Sequence, residues 1–157
     1  MTTTPIRSAS AVPDTDRPIR PAGGIRVLLA DSHPVVRRVL VDLFEETDDI
    51  TVVGECGSGE ELLPTAIRTR PHVVLVDPTL PGTDPLEAVR ELLDVLPSAR
   101  IAVHAGAFCL VTSHRAQRLG AVGYLLKGDD LADLPQRVRE LADGGSVWCA
   151  PPADRGR

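Results

Sequence analysis

Five short apolar runs alternate with amphipathic segments along this chain, and the alternation limits the folds that the chain can adopt. The runs are almost continuously apolar, which is typical of β-strands that are covered on both faces. Strands that alternate with helices form a parallel sheet with right-handed crossovers and helices on both faces. We therefore predict an α/β fold, a doubly wound five-stranded parallel sheet with five helices. The predicted strands are residues 25–30, 50–55, 73–77, 101–104 and 123–126.

The segments between the apolar runs carry residues that begin and end helices. Pro34 suits a first-turn position, and Asp84 stands as an N-cap before a proline and a glutamate. Residues 58–61, Ser-Gly-Glu-Glu, match the capping box that starts a helix. Pro64 follows in the same segment, where we expect its ring to kink or delay the helix. Gly120 is expected to end the fourth helix.

The two ends of the 157-residue chain differ from its centre. Residues 1–24 are rich in Thr, Pro, Arg and Ser and have no apolar periodicity. We interpret them as a disordered N-terminal tail and residues 147–157 as a C-terminal tail. The folded domain is then residues 25–146. Aromatic residues make up 3% of the chain, so the core is expected to be aliphatic.

Charge and cysteine spacing exclude several kinds of protein. A formal net charge of −5 argues against direct nucleic-acid binding, which needs a basic face to neutralise phosphates. No apolar run approaches the roughly 18 residues that span a bilayer, and the N-terminus lacks the apolar core of a signal peptide. Cys56, Cys109 and Cys149 have no spacing that indicates zinc or a disulfide framework. We expect a cytoplasmic protein with no direct nucleic-acid or membrane contact.

Charged residues gather where the predicted strands end. Ligands of such sheets bind at the carboxyl ends of the strands, and two carboxylates there repel each other unless a cation relieves them. The arrangement suits a carboxylate nucleophile that accepts a phosphoryl group, with Mg²⁺ and a lysine balancing the charge. The alternative is that Asp31 caps a helix and the lysine pairs with Asp77. The residues at this edge are Asp31, Ser32, Asp77, His104, Ala105 and Lys127.

Four segments of the chain resemble one protein family. They are LADSHP followed by VVRRVL, then VVGECGSGEE, RPHVVLVDPTLPGTDPLEAVREL and GAVGYLLKGDDL. Residues 25–145 are similar to the receiver domain of bacterial two-component response regulators of the NarL/FixJ (LuxR-family) type. The resemblance implies a flavodoxin-like sheet with the strand order 2-1-3-4-5.

The same resemblance implies a role for individual residues. Asp77 matches the phospho-accepting aspartate, and Lys127 matches the lysine that contacts the phosphoryl group. Tyr124 matches the aromatic switch residue. Asp31 and Asp77, with the backbone carbonyl of Thr79, match the metal ligands of the family.

Two positions depart from the family pattern. The family motif Asp-Asp-His-Pro is here Asp31-Ser32-His33-Pro34, so Ser32 offers a neutral hydroxyl where the family has a carboxylate ligand. Ala105 stands where the family has a Ser or Thr that bonds the phosphoryl oxygen. Mg²⁺ favours carboxylates, so we expect Mg²⁺ to bind weakly or not at all, and phosphorylation of Asp77 to be weak.

Three interpretations follow. The domain is a phosphorelay receiver with an atypical pocket that acts through protein–protein contact, on an output protein or as a homodimer. Alternatively, it is the N-terminal part of a NarL-type transcriptional regulator that a sensor histidine kinase or phosphotransfer protein phosphorylates normally. The third is a phosphorylation-independent binding or dimerisation module that senses a small ligand. An enzyme is not expected, because dinucleotide and Walker-type phosphate motifs are missing, and no output domain is expected in residues 147–157.

Overall fold

The computed structural model describes residues 23–149 of the chain. Of the two predicted tails, residues 1–24 and 147–157, the parts 1–22 and 150–157 lie outside the described residues. The strands are β1 (Ile25–Ala30), β2 (Ile50–Cys56), β3 (Val73–Val76), β4 (Arg100–Ala105), β5 (Gly123–Leu126) and β6 (Val147–Trp148). The helices are α1 (Pro34–Glu45), α2 (Gly59–Thr69), α3 (Pro85–Val95), α4 (Leu110–Leu119) and α5 (Leu134–Ala142), with a 3₁₀ turn at Leu131–Asp133.

All the strands run parallel in one sheet, in the order β2-β1-β3-β4-β5-β6. The predicted α/β class, the five α-helices and the order of the first five strands are confirmed. The predicted number of strands is wrong, because the sheet has six.

The sixth strand lies beside β5, in residues that the sequence assigned to the C-terminal tail. Val147 pairs with Gly123, and Trp148 pairs with Tyr124. Gly144 turns the chain at the end of α5 with a φ of 97°, which a glycine adopts without steric cost. A strand of two residues is too short to produce an apolar run, so periodicity could not predict it.

Helices cover both faces of the sheet and bury an almost entirely aliphatic core. On one face, α1 and α5 pack Leu40, Phe44 and Val138 against β1 and β3. On the other face, α2 and α3 pack Leu62 and Leu92 against alternate residues of the same strands. Both faces are therefore buried, which explains why the strands are apolar without alternation. Within residues 23–149, no helix combines the length and apolar character needed to cross a bilayer.

The predicted helix starts are confirmed, with two differences in detail. The Asp84 side chain accepts a hydrogen bond from the Leu86 amide at 3.0 Å, as an N-cap should. Ser58 makes no side-chain cap. Instead, its hydroxyl donates to Glu61 Oε2 at 3.0 Å, and that oxygen also accepts from the Gly57 amide. Pro64 does not delay α2, which begins five residues earlier at Gly59.

Gly59 joins α2 to the loop between β3 and α3. Its amide donates to the Pro81 carbonyl at 2.9 Å, and a Cβ at this position would lie 1.8 Å from the backbone oxygen of Thr83. We expect Gly59→Ala to lower the free energy of unfolding by about 3 kcal/mol, because backbone must move to relieve the clash. Urea unfolding measures the change.

Gly106→Ala is the matched control for this prediction. A Cβ on Gly106 meets nothing within 4 Å, so its expected effect is within about 0.5 kcal/mol. Equal stabilities for the two variants would contradict the close packing of Gly59 on the loop.

Candidate functional site

The carboxyl ends of the strands bring together the acidic residues and the lysine that the sequence predicts there. The backbone hydrogen bonds of the sheet continue one residue past β1, β3 and β5. The amides of Asp31, Asp77 and Lys127 donate to the carbonyls of Cys56, Ala30 and Ala105, respectively, at 2.8–2.9 Å. Asp31 and Asp77 are each 3% exposed. The strands thus fix the backbone of these residues and hold two carboxylates below the surface.

Lys127 bridges the two buried carboxylates, and it is the only lysine in the chain. Its Nζ donates a hydrogen bond to Asp77 Oδ2 and lies 2.5 Å from Asp31 Oδ2. The second contact is an ion pair outside hydrogen-bond geometry, because Asp31 Oδ2 accepts no hydrogen bond. The three side chains carry two negative charges and one positive charge, so the pocket keeps a net negative charge.

The pKa values of Asp77 and Lys127 favour their charged forms. Burial raises the pKa of Asp77, but hydrogen bonds from Lys127 and Thr79 outweigh burial and hold the pKa below its usual value. Burial lowers the pKa of Lys127, but its close contact with Asp31 and its hydrogen bond to Asp77 outweigh burial and raise the pKa. Asp77 is therefore an ionised carboxylate at neutral pH, as a nucleophile requires.

Thr79 contributes two hydrogen bonds that sequence reasoning did not predict. Its amide and its hydroxyl both donate to Asp77 Oδ1, each at 2.7 Å. The predicted role of Thr79 was through its backbone carbonyl. An aspartate side chain commonly accepts a hydrogen bond from the backbone two residues later in a turn. The contact between Asp77 and Thr79 could therefore have been inferred from their spacing. Thr79 and Lys127 together fix both oxygens of Asp77.

His33 lies beside Asp31, although the sequence analysis did not group it with the site. Asp31 Oδ1 accepts a hydrogen bond from the His33 amide at 2.8 Å and lies 2.9 Å from His33 Nδ1. One potential ligand atom from each of Asp31, His33 and Asp77 lies within 4.8 Å of the others. Ser32 is half-buried, and among the described residues no hydrogen bond links its hydroxyl to Asp77 or Lys127.

Alternate residues of β4 face opposite sides of the sheet. Ala105 is 3% exposed and packs in the cluster that contains Tyr124 and Ala116. His104 is also buried and lines a small cavity of about 10 Å³ beside α5, with Leu134 and Arg137. Burial, and to a lesser degree Lys127, lowers the pKa of His104 to about 4. His104 is therefore neutral and separate from the cleft above Ala105.

An open cleft of about 530 Å³ extends from Asp77 and Lys127 across Ala105 to the start of α4. Tyr124 forms part of its wall and is fully buried. The phenol hydroxyl donates to the Ala107 carbonyl at 2.7 Å and accepts from the Cys109 amide at 3.1 Å. The Tyr124 ring is thereby tied to the loop between β4 and α4.

The fold and this pocket together define a doubly wound domain with a buried aspartate–lysine site, and comparisons with known proteins agree. Residues 27–139 match the family model described as the response regulator receiver domain. The chain belongs to this family, the receiver domains of two-component signalling.

Individual relatives indicate the type of response regulator. The chain is 36% identical over 127 residues to the response regulator GacA of Pseudomonas viridiflava, covering 81% of this chain and 59% of GacA. It is 35% identical over 126 residues to the nitrate/nitrite response regulator protein NarL of Escherichia coli K12, covering 77% of this chain and 56% of NarL. The chain therefore spans less than two thirds of the length of these curated relatives.

A solved structure of a response regulator is also similar to this chain. The crystal structure of a LuxR-family two-component response regulator from Aurantimonas sp. SI85-9A1 is similar with a TM-score of 0.75 and 30% identity. The match covers 83% of this chain and 91% of that chain. The predicted resemblance to NarL-type, LuxR-family receivers is confirmed.

Receiver domains bind Mg²⁺ through acidic residues, and the described part of this chain holds an acidic cluster at the same edge of the sheet. Asp31 and Asp77 are the two carboxylates available, and the third potential ligand beside them is the His33 imidazole. Mg²⁺ demands oxygen ligands and dehydrates reluctantly. Ser32, next to Asp31, offers a neutral hydroxyl. The potential ligands of this cluster are therefore two carboxylates and one imidazole.

Proposed function

We propose that this domain is a phosphorelay receiver that accepts a phosphoryl group on Asp77 weakly and acts through protein–protein contact. The observation that carries the proposal is the buried, ionised Asp77, held by Thr79 and Lys127 beside an Ala105 that has no hydroxyl. In the transfer, an Asp77 oxygen attacks phosphorus, the P–N bond of a phosphohistidine breaks, and an acyl phosphate forms. The histidine nitrogen leaves with the electron pair of the broken bond.

Lys127 supports this chemistry because its ammonium already contacts Asp77. Charge builds on the phosphoryl oxygens during transfer, and a fixed cation stabilises that charge without reorganisation. The side chain is 17% exposed, so part of its charge faces the cleft through which a donor would enter. We assign Lys127 the role of phosphoryl contact.

The weakness of the reaction follows from Ser32 and Ala105. Ser32 leaves the metal ligands with two carboxylates, Asp31 and Asp77, together with the proposed Thr79 carbonyl. Ala105 presents a methyl group to the cleft, so the phosphoryl group gains no hydroxyl donor from β4. Each missing interaction is one that would strengthen in the transition state and so raise the rate.

Tyr124 is the proposed switch residue, and its present contacts suggest weak coupling to phosphorylation. Its hydroxyl bonds to Ala107 and Cys109 without any phosphoryl group in the pocket. Ala105 cannot link a phosphoryl oxygen to this ring by a hydrogen bond. We propose that the loop between β4 and α4 keeps one arrangement in both phosphorylation states.

We propose a sensor histidine kinase or a phosphotransfer protein as the phosphoryl donor, in the cytoplasm. The output would be a contact with another protein or with a second copy of the domain, with no direct nucleic-acid contact from the described domain. The curated relatives extend well beyond the matched region. The N-terminal receiver of a NarL-type transcriptional regulator is therefore the alternative setting for the same domain.

A second candidate is a phosphorylation-independent binding or dimerisation module. The observation that favours it is Lys127, which contacts both Asp31 and Asp77 and so relieves their repulsion within the chain. Such a pocket folds without requiring a metal ion or a phosphoryl group to neutralise it. The open cleft above Ala105 would then be the place for a small ligand.

Incubation with a small acyl-phosphate donor and Mg²⁺, followed by intact-mass measurement, tests the proposal. We expect a minor fraction of the protein to gain the mass of one phosphoryl group, and Asp77→Asn to gain none. Complete and rapid modification would contradict the weak reaction. No modification under any Mg²⁺ concentration would contradict phosphoryl acceptance and favour the second candidate.

A further inference from the structure

We infer that the pocket binds a divalent transition metal ion in preference to Mg²⁺, with His33 as a ligand beside Asp31 and Asp77. The inference concerns the same pocket as the proposed function and rests on the geometry of its ligand atoms. It does not require that Asp77 be phosphorylated.

The spacing of the three groups suits a shared ion. Two ligands on adjacent positions of an octahedral metal ion, each about 2.1 Å from it, lie about 3 Å apart. The observed distance from His33 Nδ1 to Asp31 Oδ1 is 2.9 Å, and a metal ion held by both atoms would replace the proton of this hydrogen bond. Asp77 offers an oxygen within 4.8 Å of both, so the three groups lie close enough together to approach one ion.

Charge and burial in the pocket also favour a cation. Within residues 23–149, the buried Asp31 Oδ2 accepts no hydrogen bond and is paired only with the Lys127 ammonium, which also contacts Asp77. The excess negative charge is therefore only partly compensated. The His33 side chain is 62% exposed while that of Asp31 is 5% exposed, so an entering ion meets the imidazole before the carboxylate.

The local sequence holds His33 where a ligand is needed. Its amide donates to Asp31 Oδ1, and Pro34 begins α1 immediately after it. This turn fixes the backbone and leaves the exposed ring room to adjust.

The chemistry of the donor set distinguishes between metal ions. Imidazole nitrogen suits Zn²⁺, Ni²⁺, Co²⁺ and related ions, whereas Mg²⁺ selects oxygen. Two carboxylates and one imidazole leave coordination positions for water or for an anionic ligand. A carboxylate at position 32 would favour Mg²⁺, but Ser32 has only a neutral hydroxyl. His33 supplies a nitrogen ligand, which favours the transition metal ions.

Titration of the full chain with Co²⁺, without any phosphodonor, tests the inference. Visible absorption reports nitrogen and oxygen coordination, and calorimetry gives the affinity. We expect His33→Gln to weaken Co²⁺ binding by about tenfold or more and to leave Mg²⁺ binding unchanged. His114→Gln is the matched control, because His114 is exposed on α4 away from the cluster, and it should bind Co²⁺ like the wild-type chain.

Two further variants sharpen the result. Ser32→Asp should raise Mg²⁺ affinity and make Co²⁺ binding less dependent on His33, because it restores a carboxylate. Cys109→Ser should keep the Co²⁺ spectrum, since an exposed thiol is outside the proposed ligand set.

Co²⁺ affinity that is equal in the wild-type chain and in His33→Gln would overturn the inference, and so would a Co²⁺ spectrum that vanishes in Cys109→Ser. Either result would leave the phosphorylation experiment untouched. Conversely, if Asp77 is not phosphorylated but Co²⁺ binding depends on His33, the proposed phosphoryl transfer is contradicted and the proposed metal site is supported.

Discussion

Replacing Ser32 by Asp and Ala105 by Thr together is expected to raise the rate of Asp77 phosphorylation on the order of 10²-fold at a fixed Mg²⁺ concentration that does not saturate the wild-type chain. The aspartate supplies the missing carboxylate ligand, so the ion that neutralises the phosphoryl oxygens binds more tightly. The threonine places a hydroxyl donor at the end of β4, where Ala105 now lines the cleft. Intact-mass time courses with a small phosphodonor give the rate.

The single variants divide this effect between its two causes. Ser32→Asp alone should lower the Mg²⁺ concentration needed for half-maximal phosphorylation, whereas Ala105→Thr alone should raise the rate at fixed Mg²⁺. Adding Asp77→Asn to the double variant should abolish the modification. A double variant that reacts no faster than the wild-type chain would show that Ser32 and Ala105 do not limit the reaction.

Replacing Lys127 by Met is expected to lower the free energy of unfolding by about 3 kcal/mol at neutral pH. Asp31 and Asp77 are buried side by side, and the substitution removes the ammonium that contacts both. Two buried carboxylates without a counter-charge repel each other and lose solvation. Urea unfolding at pH 7 measures the loss.

The effect of Lys127→Met depends on pH in a defined direction. In the wild-type chain the pKa of Asp77 lies below its ordinary value of 3.8, so its stabilisation is present above that pH and is lost as the pH falls below it. Without Lys127, burial and repulsion raise the folded-state pKa of Asp77. Its contribution to stability is then present in acid and is lost as the pH rises through the folded-state pKa. The difference between variant and wild type should therefore shrink as the pH is lowered through about 4.

Two further variants control for the loss of a long side chain. Arg38→Met removes an exposed cation that pairs with Asp42 at 3.4 Å, and its expected cost is below about 0.5 kcal/mol. Lys127→Met combined with Asp77→Asn should recover part of the stability, because one buried charge is removed together with its partner. A cost for Lys127→Met no larger than that of Arg38→Met would mean that the lysine does not neutralise the pocket.

Local sequence determined the elements and the edge at which the site lies. Continuous apolar runs predicted strands buried on both faces, and Pro34, Asp84 and Gly120 marked helix ends, because these signals act over a few neighbouring residues. Parallel strands all end at the same edge. For that reason Asp31, Asp77 and Lys127 could be placed together before any contact was known.

Only the tertiary structure decided which atoms meet within that edge. Periodicity places a residue on an element but does not set the direction of a long side chain, so the bridging of Asp31 and Asp77 by Lys127 depends on packing across three strands. The approach of the His33 ring to Asp31 depends on a turn and a rotamer. The sixth strand exists because β5 offers its edge to two residues that have no strand pattern of their own. The lysine bridge and the sixth strand follow from contacts between distant segments, and the position of the His33 ring follows from its rotamer, none of which local patterns encode.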